Sequence, residues 1–242
     1  MMVELAKVLY GSQNYGLDGE DSDRDYKLVL CPGFEELYEG KMCKKNEGEH
    51  VVGIDIRRLH GLLVNGNPNA VELLYSVDVE LIDGDWVGLY FDCWRRVYEG
   101  GYLAAVWRTF YAALTGMALN CIDRNGVTPK TVARAFYFME MAKHLAGNGF
   151  VLNEGVYRGE GLKFHRLARN IRFGKTAMYE RVLNGIAEDV KRGFEEWTAE
   201  GQNRADAACE GHDWTKVVDR MDRMVRMIVR KRGVLCEKVA VV

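Results

Sequence analysis

The sequence lacks the features that mark several classes of protein. Proline occurs only three times in 242 residues, and no Pro/Ser-rich linker, internal repeat or low-complexity tract interrupts the chain. No apolar run is long enough to span a bilayer, and the N-terminus has no basic-then-apolar secretory signal. The sequence therefore predicts neither a membrane protein nor an exported one.

Cysteine spacing and net charge argue against two further classes. The six cysteines are dispersed without a Cys-x-x-Cys pair, which predicts free thiols in a reducing cytoplasm and not a disulfide scaffold or a zinc site. The net charge is −2 and the pI is about 6.2, whereas a chain that mainly coats nucleic acid is usually basic. A nucleic-acid substrate would therefore need a local basic patch.

The composition and its patterning predict a two-part globular chain. Hydrophobic residues make up 48% and charged residues 28% of the sequence, as in globular proteins with a sizeable core. Strand-like apolar runs occupy the first part, and apolar residues at helical spacing follow. We therefore predict an α+β fold, with a small mixed β-sheet domain at 1–85 and an α-helical domain at 86–242. Because no linker separates them, we expect the two to pack closely.

The expected elements follow from apolar periodicity and from turn and cap residues. The predicted strands cover residues 3–10, 24–31, 51–56 and 80–82. The predicted helices cover residues 34–38, 57–64, 70–75, 85–98, 103–120, 128–145, 160–172, 176–199 and 213–232. Residues 12–19 are predicted as a short helix or loop, and residues 41–50 as an exposed loop.

Residues 11–27 carry the clearest chemical pattern. Gly11 and Ser12 follow an apolar strand, where a glycine turn lets backbone N–H groups and a hydroxyl approach a phosphate. Asp23 and Asp25 open the next strand, in which alternate side chains share a face. Two adjacent carboxylates repel each other unless a cation lies between them, and Mg²⁺ prefers such oxygen ligands. The pattern therefore suggests metal-assisted phosphoryl or nucleotidyl transfer.

Two further residues have a functional and a structural interpretation. Asp55 lies between Ile54 and Ile56 in an apolar strand, where an unpaired carboxylate is costly to bury. It is either a third carboxylate that activates an attacking hydroxyl, which we favour, or an edge residue or helix cap before Arg57. Lys27 shares the strand face of the two aspartates, and it either neutralises them or reaches a phosphate.

The ordered set of these motifs resembles the signature of the DNA polymerase beta-like nucleotidyltransferase superfamily. The matching residues are Gly11-Ser12, then Asp23-Arg24-Asp25, then Asp55. Tyr15-Gly16, the Ser-Asp-x-Asp-x-Lys pattern at 22–27 and the Asn-Pro-Asn-x-x-Glu-Leu-Leu pattern at 67–74 are similar to a group of predicted bacterial and phage nucleotidyltransferases. Some members of that group are associated with RNA repair.

This resemblance implies an enzyme that moves a nucleoside monophosphate from an NTP to an acceptor hydroxyl and releases pyrophosphate. Asp23, Asp25 and Asp55 would be the catalytic residues and would hold Mg²⁺ or Mn²⁺. RNA, another nucleic acid, a protein hydroxyl or a small molecule would be the acceptor. The alternative is a nucleotide-binding protein without turnover or a toxin–antitoxin component. The implied nucleotide-binding residues are Gly11, Ser12 and Lys27.

The last predicted helix also has two interpretations. Its apolar residues follow helical spacing, and Arg223, Arg226 and Arg230 lie among the residues between them. It is either an amphipathic helix with a solvated charged face or a strip that contacts nucleic acid. Arginines at 166–172 would extend such a strip.

Overall fold

The computed structural model describes residues 2–19, 22–48, 50–159, 161–174 and 180–239. A mixed sheet and the helices that follow it confirm the predicted α+β fold. The predicted helix starts at residues 160 and 176 lie outside the described residues. Among the described helices, none combines the length and the apolar character that crossing a bilayer requires.

Five short strands form one sheet in the order β3-β4-β2-β1-β5. Strands β2 and β4 run parallel, while the β1–β2, β1–β5 and β3–β4 pairs are antiparallel. The strand β3 lies in the segment predicted as a loop, because a two-residue pairing leaves no period in the sequence. The strands are β1 Val3–Tyr10, β2 Asp25–Cys31, β3 Asn46–Glu47, β4 Val51–Asp55 and β5 Val79–Leu81.

The helices mostly agree with the predicted spans. The predicted helix at 103–120 is two helices in the structure, α5 Tyr102–Ala105 and α6 Trp107–Asn125. A short 3₁₀ helix, Ser12–Tyr15, follows β1. The other helices are α1 Phe34–Tyr38, α2 Ile56–Val64, α3 Pro68–Leu74, α4 Asp85–Glu99, α7 Pro129–Gly147, α8 Glu154–Arg158, α9 Lys163–Phe173, α10 Glu180–Cys209 and α11 Thr215–Val239.

An aromatic cluster joins the sheet to the helices. The buried Tyr15 ring stacks on Tyr137 of α7, with ring centroids 5.4 Å apart, and meets Phe138 edge-on at 5.5 Å. Tyr157 of α8 contacts Tyr15 edge-on at 6.5 Å and stacks on Tyr75 at 5.7 Å. Because Tyr15 closes the turn after β1, this packing sets the first turn of the chain against α7 and α8.

We expect Tyr157→Ala to lower the free energy of unfolding by about 3–5 kcal/mol, since it removes a buried ring between two aromatic neighbours. Tyr38→Ala is the matched control, because the Tyr38 side chain is 82% exposed, and we expect a change within about 0.5 kcal/mol. Urea unfolding followed by circular dichroism measures both. Equal effects at the two positions would contradict the assigned role of the cluster.

Candidate active site

The turn after β1 lies against the first residue of β2. The antiparallel register pairs Tyr10 with Asp25, so Gly11 follows directly beside that aspartate. Gly11 has φ +100°, and a Cβ atom placed there would lie 4.0 Å from Asp25 Oδ2. A side chain at this position would therefore be strained by the positive φ, although it would contact the carboxylate only at van der Waals distance. The structure places Gly11, Ser12 and Asp25 beside one another.

A cavity of about 170 Å³ opens at this turn. Its walls come from the end of β1, the start of β2, and the helices α3, α7 and α9. The sheet and the helical part of the chain thus both contribute to it. The lining residues are Tyr10, Gly11, Ser12, Tyr15, Leu17, Asp25, Asn69, Glu72, Lys130, Arg134 and Arg172.

Three cations line the cavity from the helical part of the chain. Lys130 and Arg134 lie one turn apart at the start of α7, whose N-terminus is capped by the Thr128 hydroxyl. Arg172 reaches the same cavity from α9. The positive end of the α7 dipole adds to their charge, and together they favour an anion. The sequence signal for Lys130 and Arg134 was their four-residue spacing at a helix start, which the prediction did not use.

Glu72 is the second carboxylate of the cavity, and it is almost fully buried. It accepts hydrogen bonds from the Gly11 N–H and from Asn14 Nδ2, the latter at 3.0 Å. Burial raises the pKa of Glu72 to about 7, although hydrogen bonds from Gly11 and Asn14, the nearby charge of Arg134 and a hydrogen bond with Tyr157 oppose the rise. The Gly11 N–H, expected to face a phosphate, is therefore engaged by this carboxylate.

Several buried polar atoms around the cavity have no hydrogen-bond partner within the described part of the chain. They are the Tyr15 hydroxyl, Arg134 Nε and Arg172 Nε. Buried polar groups are normally paired with protein or water, and an unpaired one costs free energy. All three residues line the same small space. This arrangement suits a polar, anionic ligand with several acceptor oxygens.

Asp23 and Lys27 lie near this cavity but do not line it. Strand β2 begins at Asp25, so Asp23 precedes the strand and is exposed. Strand alternation therefore does not fix the Asp23 side chain beside Asp25. The Lys27 ammonium lies 4.4 Å from the centre of the Tyr10 ring. Partial burial lowers the pKa of Lys27, while the nearby carboxylates of Asp25 and Glu72 oppose that change.

The structure does not bring Asp55 to this cavity, and the predicted three-carboxylate cluster is wrong in this respect. In the parallel pair β2–β4, Asp55 is opposite Leu30, five residues along β2 from Asp25. At about 3.3 Å per residue this places it about 16 Å away, at the other end of the strands. The sequence pattern did not indicate which end of the strand Asp55 would occupy.

Asp55 has a structural role instead. Its carboxylate accepts hydrogen bonds from the backbone N–H of Arg57 and of Cys43, both at 2.9 Å, and from Arg57 Nη2 at 2.7 Å. It is 1% exposed. Burial alone would raise the pKa of Asp55, but the hydrogen bonds from Arg57 and Cys43 lower it overall. The helix-cap alternative for this residue therefore holds.

The donor set at the cavity suits a divalent cation only in part. Within the described ranges, no group of three or more His, Cys, Asp or Glu side chains is placed to hold a metal ion. Asp25 Oδ1 lies 3.0 Å from His50 Nδ1, and Asp23 is two residues away in the sequence. A hard cation would therefore depend on further oxygen ligands from a bound phosphate.

Glu72→Gln should remove a specific part of the pH dependence of stability. Because the pKa of Glu72 is raised in the folded state, its contribution to stability is fully present below the ordinary pKa of 4.5. This contribution is lost as pH rises through about 7. The loss is about 3 kcal/mol. Urea unfolding between about pH 5 and about pH 8 should show a smaller decline for Glu72→Gln than for wild type. Glu196→Gln, at an exposed position, should decline like wild type; identical slopes for all three would contradict this.

Asp55→Asn should destabilise the fold without weakening NTP binding. Loss of one partner of a buried ion pair costs about 3–5 kcal/mol, whereas Asp219→Asn removes an exposed carboxylate and should cost about 0.5 kcal/mol or less. Urea unfolding and calorimetric titration with NTP and Mg²⁺ measure the two effects. Unchanged stability together with lost NTP binding would return Asp55 to the site.

Comparisons of the chain with protein-family models, with curated proteins and with solved structures find no match. The interpretation of the cavity therefore depends on its own residues and on the motifs in the sequence.

Proposed function

We propose that the protein is a metal-dependent nucleotidyltransferase that transfers a nucleoside monophosphate from an NTP to an acceptor hydroxyl. The observation that carries the proposal is the convergence of the Gly11–Ser12 turn, Asp25 and three cations on one small cavity. A triphosphate matches this set, because it offers many acceptor oxygens and several negative charges. The motif resemblance at residues 11–27 supports the same chemistry.

In this proposal, the cationic wall holds the triphosphate. Lys130, Arg134 and Arg172 neutralise it and the pyrophosphate that leaves, while the Ser12 hydroxyl donates to a phosphate oxygen. The acceptor oxygen forms a bond to the α-phosphorus, the bond to pyrophosphate breaks, and the hydroxyl proton passes to solvent. Mg²⁺ or Mn²⁺ at Asp25 and Asp23 would add positive charge on the transferred phosphoryl group. We expect this reaction to take place in the cytoplasm.

A second candidate is a nucleotide-binding protein without turnover. It is favoured by the position of Asp55, which removes one of the three carboxylates that the motif implies for catalysis. The cavity would still bind a triphosphate, because its cations and its turn are independent of Asp55. The two candidates differ only in whether phosphoryl transfer follows binding.

Asp25→Asn is the variant that tests the proposal. Wild type should transfer label from at least one α-labelled NTP into an RNA or protein pool with Mg²⁺ or Mn²⁺. Asp25→Asn should lose about 100-fold or more of that transfer, as when a group that stabilises the transition state is removed. Asp92→Asn, an exposed change on α4, should retain it. Calorimetric NTP binding without transfer by wild type would favour the second candidate, and absence of NTP binding would exclude both.

A further inference from the structure

Two larger cavities lie next to the one at Asp25. The first, of about 480 Å³, shares Asn69 and Arg134 with it. The second, of about 900 Å³, shares Gly116 with the first. We call these two cavities the α6 groove. It is formed by α6 along its whole length and by residues 198–206 of α10, with Asn69 and Arg134 at its inner end.

The size of the α6 groove fits a polymer better than a small molecule. Its two cavities together exceed the about 300–1,000 Å³ of a typical small-molecule site. Helix α6 has 19 residues and is about 28 Å long at about 1.5 Å per residue. About eight stacked nucleotides of one strand, at about 3.4 Å each, cover that length. Ala112, Ala113 and Gly116 line the groove, and because their side chains are small or absent they leave its volume open.

The charges in the α6 groove are arranged for an anionic chain. Arg108, Arg124 and Arg134 line it, and none has an ion-pair partner among the residues that the structure describes. By contrast, Arg192 and Arg204 of α10 pair with carboxylates of their own helix. The inner cavity, which is the one of about 480 Å³, has no carboxylate among its described lining residues. Asp206 lines the outer cavity, where Gln202 Nε2 donates to it at 2.7 Å.

The groove walls also offer groups that recognise bases. Asn69, Asn120, Asn125 and Gln202 carry amides that both donate and accept hydrogen bonds. Thr115 Oγ1 is a buried atom without a hydrogen-bond partner in the described chain. Such an unpaired atom in a cavity wall indicates a polar ligand or water. Trp107 Nε1 also lacks a partner there, but it packs against Gly201 of α10.

We propose that the α6 groove binds a single-stranded nucleic acid whose terminal hydroxyl reaches the cavity at Asp25. This inference rests on the proposed function, for which it names the acceptor. Asn69 and Arg134 line both the groove and the triphosphate cavity, so a strand in the groove ends beside that cavity, and the unpaired arginines complement its phosphates. The groove therefore provides the local basic patch that an acidic chain needs.

The arginines of α11 lie elsewhere. Helix α11 packs on α4 and α2, and no described residue of it lines the cavity at Asp25 or the α6 groove. Arg226 pairs with Asp222 of its own helix at 2.8 Å. The groove proposal therefore requires that the arginines of α11 form a solvated face and do not contact nucleic acid.

Gly116→Leu tests the groove without changing charge. A Cβ atom at Gly116 meets only Asn120 Nδ2, at 3.8 Å, so the helix tolerates the substitution while the side chain fills the floor. Gly185→Leu on α10 is the matched control, since nothing lies within 4 Å of its Cβ position. We expect Gly116→Leu to weaken binding of a fluorescein-labelled single-stranded RNA octamer, or its DNA counterpart, about tenfold, equivalent to about 1.4 kcal/mol. Gly185→Leu should bind as wild type does.

Charge reversal provides the second arm. Arg108→Glu with Arg124→Glu should weaken the same binding and make its salt dependence shallower by about 1.4 in log–log slope. The matched pair Arg223→Glu with Arg226→Glu, on α11, should change neither. Calorimetric NTP affinity should stay within about twofold in every variant, since these residues lie outside the cavity at Asp25.

The outcomes separate the groove from the proposed function. Loss of binding in the α11 pair but not in the groove variants would overturn the groove. The groove proposal would also be overturned if the wild-type protein labelled a protein pool and bound neither oligonucleotide. If wild type binds no NTP, the proposed function fails, while the anisotropy of the labelled oligonucleotides still decides whether the groove binds nucleic acid.

Discussion

The cavity depends on one buried carboxylate, Glu72, which connects three segments of the chain. It accepts from the Gly11 N–H at the end of β1 and from Asn14 of the 3₁₀ helix. The Tyr157 side chain of α8, which opposes the rise in the pKa of Glu72, adds the third segment. Because the carboxylate is 2% exposed, water does not replace a lost partner, and movement of the turn would leave a buried charge or donor unsatisfied. The shape of the Gly11–Ser12 turn is thus imposed by helices that come later in the chain.

The balance of charge differs between the whole chain and this region. The net charge is −2, yet Lys130, Arg134 and Arg172 converge on one cavity, and Arg108 and Arg124 follow along α6. Many other basic side chains are neutralised locally, as in the Arg226–Asp222 and Arg232–Asp83 pairs. A ligand responds to the field at close range, since salt screens charges beyond about 8 Å.

Local features of the sequence predicted much of the fold and part of the cavity. Apolar periodicity indicated the strands and most helices, and Gly11 and Asp25 meet because β1 and β2 pair antiparallel, so that the end of one lies beside the start of the other. Arg134 was not predicted, because only tertiary packing brings α7 to the turn. Asp55 was assigned to the wrong end, because a strand pattern defines the face of a residue but not its position along a parallel partner. Register of that kind depends on long-range pairing.

Arg134 stands in the wall between the cavity at Asp25 and the α6 groove. Its Nε is buried and unpaired within the described chain, and its guanidinium lies 5.4 Å from the Phe138 ring. One cation therefore lines two cavities, and an anion on either side would alter its field on the other. If both cavities bind ligands as proposed, the two ligands would be energetically coupled, and thermodynamic reciprocity would make the factor the same in both directions. Under the proposed function, an anion bound on one side would weaken the binding of an anion on the other through a single shared guanidinium.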